Sequence, residues 1–153
     1  MDFEERIFPS LGTIAALLAL LIASAFAVWV ALGTVIAGAI LSLGLIFIFL
    51  WWRGAIHRIR IEESFLYVND AKIEASYIST VRSLGEDAWR KRRGVDFDPA
   101  LFHAHKFWMR SGVEITLDDS RDPHDGWLIG SKHHVELAAS ISAMLRAQRK
   151  KIK

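Results

Sequence analysis

Residues 11–52 read LGTIAALLALLIASAFAVWVALGTVIAGAILSLGLIFIFLWW and contain no Asp, Glu, Lys, Arg or His. Charged and histidine side chains all lie before or after this stretch in the 153-residue chain. A soluble domain of this size has no core wide enough to bury these 42 consecutive residues, so lipid is their natural solvent. The stretch therefore predicts an integral membrane anchor.

The length of the stretch favours two spans over one. A single helix of 42 residues would be about 63 Å long, against a hydrocarbon core of about 30 Å. Gly33 can adopt the backbone conformation that ends a helix, which predicts helices at about 11–31 and 34–52. We therefore expect three parts: an N-terminal segment (1–10), a transmembrane helical hairpin (11–52) and a domain (53–153).

The basic residues beside the hairpin predict its orientation. Arg53, Arg58 and Arg60 follow the second helix closely, whereas the short connection near Gly33 carries no charge. The positive-inside rule then places the domain in the cytoplasm, and two spans return the amino terminus to the same side.

Small residues recur at every fourth position of both predicted helices. They are Ala15, Ala19, Ala23 and Ala27 in the first helix, and Gly38 and Ser42 in the second. Small side chains let helices approach closely in lipid, where no hydrophobic force drives their association. Two interpretations stay open: packing within the hairpin, or a face that binds a second membrane protein.

Apolar and polar residues alternate in several short stretches of the domain, as is typical of β-strands, and the domain ends in an amphipathic helix. We predict strands near 56–62, 65–68, 71–75, 77–81, 112–118 and 127–130, with turns at 69–70 and 118–126 and one or two helical turns at 86–93. The apolar face of the last helix comprises Val135, Leu137, Ala138, Ile141, Met144 and Leu145. This predicts an α+β fold, a curved antiparallel sheet with a C-terminal helix, of pleckstrin-homology-like design.

Short motifs in a fixed order extend over nearly the whole chain. They are 3–9 (FEERIFP), 98–100 (DPA), 105–108 (HKFW), 122–123 (DP), 127–132 (WLIGSK) and 136–138 (ELA). In this order they resemble the actinobacterial membrane family called domain of unknown function 3093. The chain departs from the family pattern at Asp125-Gly126, where Pro-Tyr is expected, and at His134, where a Pro is usual. The resemblance implies a bacterial cell membrane and brings no known activity.

Histidine is the first candidate for chemistry. His103 and His105 are two positions apart, which would put both on one face if they lay on a strand, and His133 and His134 lie near a helix start. With Asp96, Asp98, Asp122 and Asp125 they could bind a divalent metal, but the spacing matches no metal motif, and structural histidines are the favoured interpretation. No catalytic serine elbow or phosphate-binding loop occurs, and there are no cysteines, so we expect no enzyme activity and no cofactor.

A basic cluster is the second candidate. Trp89, Arg90, Lys91, Arg92 and Arg93 are consecutive, and Arg146, Arg149, Lys150, Lys151 and Lys153 follow near the end. From Arg53 onward 18 Lys and Arg face 14 Asp and Glu, a net charge of about +4. Such a cluster on a membrane-tethered domain could contact anionic lipid, or it could be a solvated helix face. Nucleic acid is not an expected partner, since it needs a broader basic surface with stacking aromatics.

Three functional hypotheses follow in order. The first is a non-enzymatic, membrane-anchored interaction module, an accessory subunit of a larger membrane protein complex. The second is an anionic-lipid sensor that uses residues 89–93, and the third is a metal-dependent activity through the histidines.

Overall fold

The computed structural model describes residues 3–119 and 122–151. Residues 120–121, in the predicted polar turn, and Lys153, in the predicted basic run, lie outside the described residues. The chain forms two compact units, one of residues 8–56 and one that combines residues 1–7 with 57–153. The second unit is thus assembled from both sides of the apolar stretch.

The first unit is a pair of apolar helices. Helix α1 spans Leu11–Leu32 and α2 spans Thr34–Gly54, slightly longer than the sequence boundaries, and both are long and apolar enough to cross a membrane. The Ser10 hydroxyl accepts a hydrogen bond from the Thr13 amide at 3.1 Å and so caps α1. Gly33 separates the helices with a φ of 86°, a backbone angle that favours glycine.

The faces on which α1 and α2 meet are not the small-residue faces. The half-buried positions of α1 are Thr13, Ile14, Leu17, Leu18, Leu21, Ala25 and Val28. On α2, Ala37 is buried and Gly44 receives the side chain of Leu21, where a Cβ would overlap with it. Ala15, Ala19, Ala23, Ala27, Gly38 and Ser42 are all exposed. The interpretation that these six residues close the hairpin is therefore corrected: bulky leucine packing onto glycine does so instead.

Replacing Gly44 with leucine is expected to destabilise the hairpin, because the new side chain must occupy the volume filled by Leu21. The matched control is Gly38→Leu on the same helix, where a Cβ meets nothing within 4 Å. Thermal unfolding in mild detergent should start several degrees lower for Gly44→Leu than for the control. Equal melting curves would mean that the helices do not meet at Gly44.

The second unit begins with a strand that the sequence analysis missed. Strand β1 spans Phe3–Ile7 and its burial alternates, with Phe3, Glu5 and Ile7 turned inward. It pairs antiparallel with β2 (His57–Glu62), from Phe3 opposite Ile61 to Ile7 opposite His57. The segment 1–10 thus contributes a strand to the domain.

The first sheet has the order β1-β2-β3-β4 and is antiparallel throughout, with β3 at Phe65–Val68 and β4 at Ala71–Glu74. A short 3₁₀ turn, Ala75–Tyr77, leads into the second sheet. The turn between β3 and β4 is Asn69-Asp70, and Asn69 has a φ of 54°, which asparagine tolerates better than most residues.

The second sheet has the order β5-β7-β8-β6. Its strands are β5 (Ile78–Leu84), β6 (Leu101–Ala104), β7 (Gly112–Leu117) and β8 (Gly126–Gly130). Helix α3 (Glu86–Arg93) follows β5 and ends at Gly94, as the sequence predicted. The β6–β8 pair is parallel, so the prediction of an antiparallel sheet is wrong at this edge. The long connection through α3 and the loop after it brings β6 to this edge in the parallel direction.

Helix α4 (His134–Lys151) closes the domain. Its residues Leu137, Ile141 and Met144 are buried in a core with Ile59 and Ile115, one from each sheet. Val135, predicted on the same face, lies in the first turn of α4 and is 66% exposed, so the prediction is wrong for this residue. The two apolar helices followed by an α+β domain confirm the coarse fold prediction.

Candidate functional site

The predicted lipid-contact cluster, residues 89–93, is mostly turned inward by α3. Trp89 is only 2% exposed, and its Nε1 donates a hydrogen bond to the Met109 carbonyl at 2.9 Å. Its ring lies against Gly112 of β7, where a Cβ would overlap with it. Trp89 is therefore a core residue, and its assignment as a lipid-surface candidate is corrected.

Arg92 and Arg93 share the inward side of α3. Arg92 donates through Nε and Nη2 to one Glu114 oxygen at 3.1 and 2.8 Å, and through Nη1 to the Asp96 carbonyl at 2.7 Å. Arg93 donates to the Met109 carbonyl at 3.0 Å, and its guanidinium lies 5.8 Å from the centre of the Trp89 ring. These charges hold α3 and its following loop on the second sheet.

Arg90 and Lys91 are the members of the cluster that face solvent. Their side chains are 73% and 67% exposed, and their acidic neighbours stand at 3.5 to 3.8 Å, as loose surface ion pairs. Such pairs contribute little to stability. Periodicity explains the split, because Trp89, Arg92 and Arg93 lie three and four residues apart on one helical face.

Three histidines meet at a cleft between the two sheets. His57 begins β2, while His103 lies in β6 and His105 just after it, with the centres of these two rings 5.5 Å apart. The cleft has a volume of about 460 Å³ and is also lined by Asn69, Asp70 and Lys106. His57 was not singled out by the sequence analysis, because nothing in the sequence connects it to residues almost fifty positions away.

The Asn69 side chain determines which ring nitrogen of neutral His57 carries the proton. Its Oδ1 accepts the Arg58 amide at 3.0 Å, so its Nδ2 is free to donate to Nδ1 of His57 at 3.0 Å. A neutral His57 then carries its proton on Nε2, which is buried and has no partner at hydrogen-bonding geometry. Nε2 of His103 bonds the Asp98 carbonyl at 2.9 Å, which leaves its Nδ1 as a second buried atom without a partner.

The imidazoles of His57 and His105 both resist protonation. Burial lowers the pKa of His57 to about 4, and the nearby charge of Lys106 acts in the same direction. Burial likewise lowers the pKa of His105 to about 4, helped by Arg93, His103 and His57. The rings of His57 and His105 are therefore neutral at neutral pH.

We expect the domain to lose stability as the pH falls from about 6.5 towards 4, because the unfolded chain then takes up protons that the folded His57 refuses. The loss for His57 alone amounts to roughly 3 kcal/mol over that range. Urea midpoints at about pH 7.5 and about pH 5 measure roughly 2 kcal/mol of this loss, because pH 5 lies above the folded pKa of about 4. The midpoint difference should shrink in His57→Gln and persist in His133→Gln, an exposed control; an unchanged difference in His57→Gln would contradict the assignment.

The predicted metal donors do not converge. Within the described ranges, no three His, Asp or Glu side chains are grouped as a metal ion requires. His134 bonds the Ser83 hydroxyl at 2.7 Å at the start of α4, and Asp122 pairs with His124 at 3.3 Å. The alternative of a metal site from these residues therefore has no geometric support.

Glu5 is the buried charge that the sequence analysis missed. It is 7% exposed; one carboxylate oxygen accepts the Ser131 hydroxyl at 2.5 Å and the other accepts the Lys132 amide at 2.9 Å. These contacts fasten β1 to the segment that leads into α4, 126 residues away in sequence. The alternation Phe3-Glu4-Glu5-Arg6-Ile7 was the available signal, with Glu5 at the inward position.

An apolar helical hairpin set between the first and second strands of one α+β domain defines the class of this chain. The chain belongs to the family described as "Protein of unknown function (DUF3093)", which matches residues 2–141 and confirms the resemblance found in the sequence. Searches of curated proteins and of solved structures found no match.

Proposed function

We propose that the chain is an integral protein of a bacterial cell membrane that acts as a non-enzymatic interaction module, an accessory subunit of a larger membrane protein complex. The two apolar helices and the arginines at 53, 58 and 60 support a cytoplasmic domain. The pairing of β1 with β2 supports placing both termini on one side, because strands of one sheet cannot be divided by a bilayer.

The order of elements supports a pleckstrin-homology-like design for the domain. A four-stranded meander is followed by a second sheet and a closing C-terminal helix. In this proposal the hairpin is an insertion between the first two strands, and α3 with β6 is an insertion after β5.

The exposed small-residue faces of the hairpin carry the proposal. The hairpin closes through Leu21 and Gly44, so Ala15, Ala19, Ala23 and Ala27 remain exposed on α1. Gly38 and Ser42 are likewise exposed on α2. Close backbone approach over such residues is what stabilises helix association in lipid, and a transmembrane helix of another protein is the partner that uses it.

Purification of the tagged full-length chain in mild detergent tests this role. A membrane protein should co-purify in a fixed ratio, and the double variant Ala19→Leu with Ala23→Leu should lose it, because leucines prevent close approach. Ala16→Leu is the matched control, since Ala16 is also exposed on α1 but lies off the stripe. Equal recovery of the partner with both variants would overturn the proposal for this face.

A further inference from the structure

The chain leaves the domain for its two apolar helices at one edge. Strand β1 ends at Ile7 and α1 begins at Leu11, while α2 ends at Gly54 and β2 begins at His57. Ile7 and His57 are paired directly. We call the end of the domain that contains this pair the hairpin-side end.

The segment after β6 lies at the hairpin-side end. Lys106 lines the same cleft as His57, and Met109 shares a core cluster with Ile7. Between them Phe107 is 67% exposed. A large aromatic side chain that the domain leaves this open is a candidate for contact with something outside the domain.

Cations surround Phe107. A groove of about 290 Å³ is lined by Phe107 with Arg90, Arg93 and Arg110, and Glu86 is the acidic residue on its lining. The side chain of Arg110 is 82% exposed, and its Nη1 lies 3.7 Å from a carboxylate oxygen of Glu86. Such a loose surface pair does not neutralise the positive charge of Arg110. We call Phe107 with Arg90, Arg93 and Arg110 the Phe107 patch.

The basic residues of α4 lie at the opposite end. Gln148 accepts a hydrogen bond from Ser64 at 3.2 Å, and Ser64 lies in the turn after β2, whose first residue is His57. The net positive charge of the domain is thus divided, and at the hairpin-side end the Phe107 patch combines two exposed arginines, Arg90 and Arg110, with an exposed aromatic ring.

We propose that the Phe107 patch contacts the anionic surface of the bilayer that holds the hairpin. The proposal rests on the membrane anchoring proposed above but not on a protein partner. Connections of a few residues keep the hairpin-side end close to the lipid headgroups, where an apolar aromatic side chain can bury at the boundary with the acyl chains and where each nearby arginine gains from anionic lipid. The contact uses Arg90 and Arg110 and replaces the consecutive cluster 89–93 as the lipid-contact surface.

The chain has no cysteine, so a single introduced cysteine can carry a fluorophore in the full-length protein in nanodiscs. Phe107→Cys is compared with Arg146→Cys, an exposed site on α4 at the far end. In anionic nanodiscs the label at 107 should be quenched by nitroxide lipid and shielded from iodide, with the reverse at 146. Adding Arg90→Gln and Arg110→Gln should lower the docked-to-free ratio by up to roughly fivefold per residue.

Two results would overturn the inference. One is iodide access at 107 equal to that at 146 in anionic nanodiscs. The other is shielding of position 107 from both quenchers, which would mean contact with protein. A label at Ser42→Cys, on the exposed side of α2, separates the two proposals: if deep lipid nitroxides do not quench it, the membrane anchoring itself fails.

Discussion

Replacing Glu5 with alanine is expected to lower the free energy of unfolding of the domain by about 3 kcal/mol. The substitution leaves the Ser131 hydroxyl and the Lys132 amide without their acceptor in a buried site. A buried donor that loses its acceptor is no longer compensated for its lost contact with water, and the cost is larger when the acceptor was charged. Urea unfolding of the full-length chain in detergent, followed by the near-ultraviolet signal of the domain, measures the change.

The neighbouring residue supplies the control. Glu4 pairs with Arg6 on the surface, with side chains 54% and 56% exposed, so Glu4→Ala should cost less than about 1 kcal/mol. If Glu4→Ala and Glu5→Ala unfold at the same urea concentration, β1 is not fastened to the domain through Glu5.

Gly112→Ala is expected to destabilise the domain by about 3 kcal/mol or to prevent folding. A Cβ at Gly112 would overlap with both the Ile129 carbonyl on β8 and the Trp89 ring. Neither neighbour yields easily, because the carbonyl belongs to a paired strand and the indole is held by its bond to Met109. Thermal unfolding measures the effect.

Gly85→Ala is the matched control for Gly112→Ala. It lies in the same domain, just before α3, and its Cβ would meet only His134 Cε1 at an ordinary 4.0 Å. A melting temperature for Gly112→Ala within a degree or so of this control would contradict the packing of Trp89 against β7.

The regular elements were readable where the pattern is local. Alternation predicted β2, β3, β7 and β8, and the 3.6-residue period predicted α4. Strand β1 was not readable, because its five residues are short and acidic, and its partner lies beyond the hairpin. Strand β6 was missed because four residues with a histidine give no alternation strong enough to recognise.

For the candidate surfaces the sequence predicts which residue types occur, but not which of them are exposed. The sequence shows that residues 89–93 are basic but not which of them a sheet will cover, so Arg92 and Glu114 could not be paired in advance. In the hairpin, every face of both helices is apolar, so hydropathy cannot predict on which faces α1 and α2 contact each other. Only the shapes of the side chains decide this, and the side chain of Leu21 packs at Gly44.

The pairing of β1 with β2 is the central claim, because it makes one domain from the two sides of the hairpin. Arg6 and Arg58 are exposed and directly opposite, as are Glu4 and Arg60, at a separation that a disulfide can bridge. Cysteine pairs at 6/58 and 4/60 should cross-link on mild oxidation of the full-length chain in membranes, detected by mass spectrometry. The pair 6/62, displaced by four residues or about 13 Å, should not. Failure of both opposite pairs, or equal cross-linking at 6/62, would contradict this account.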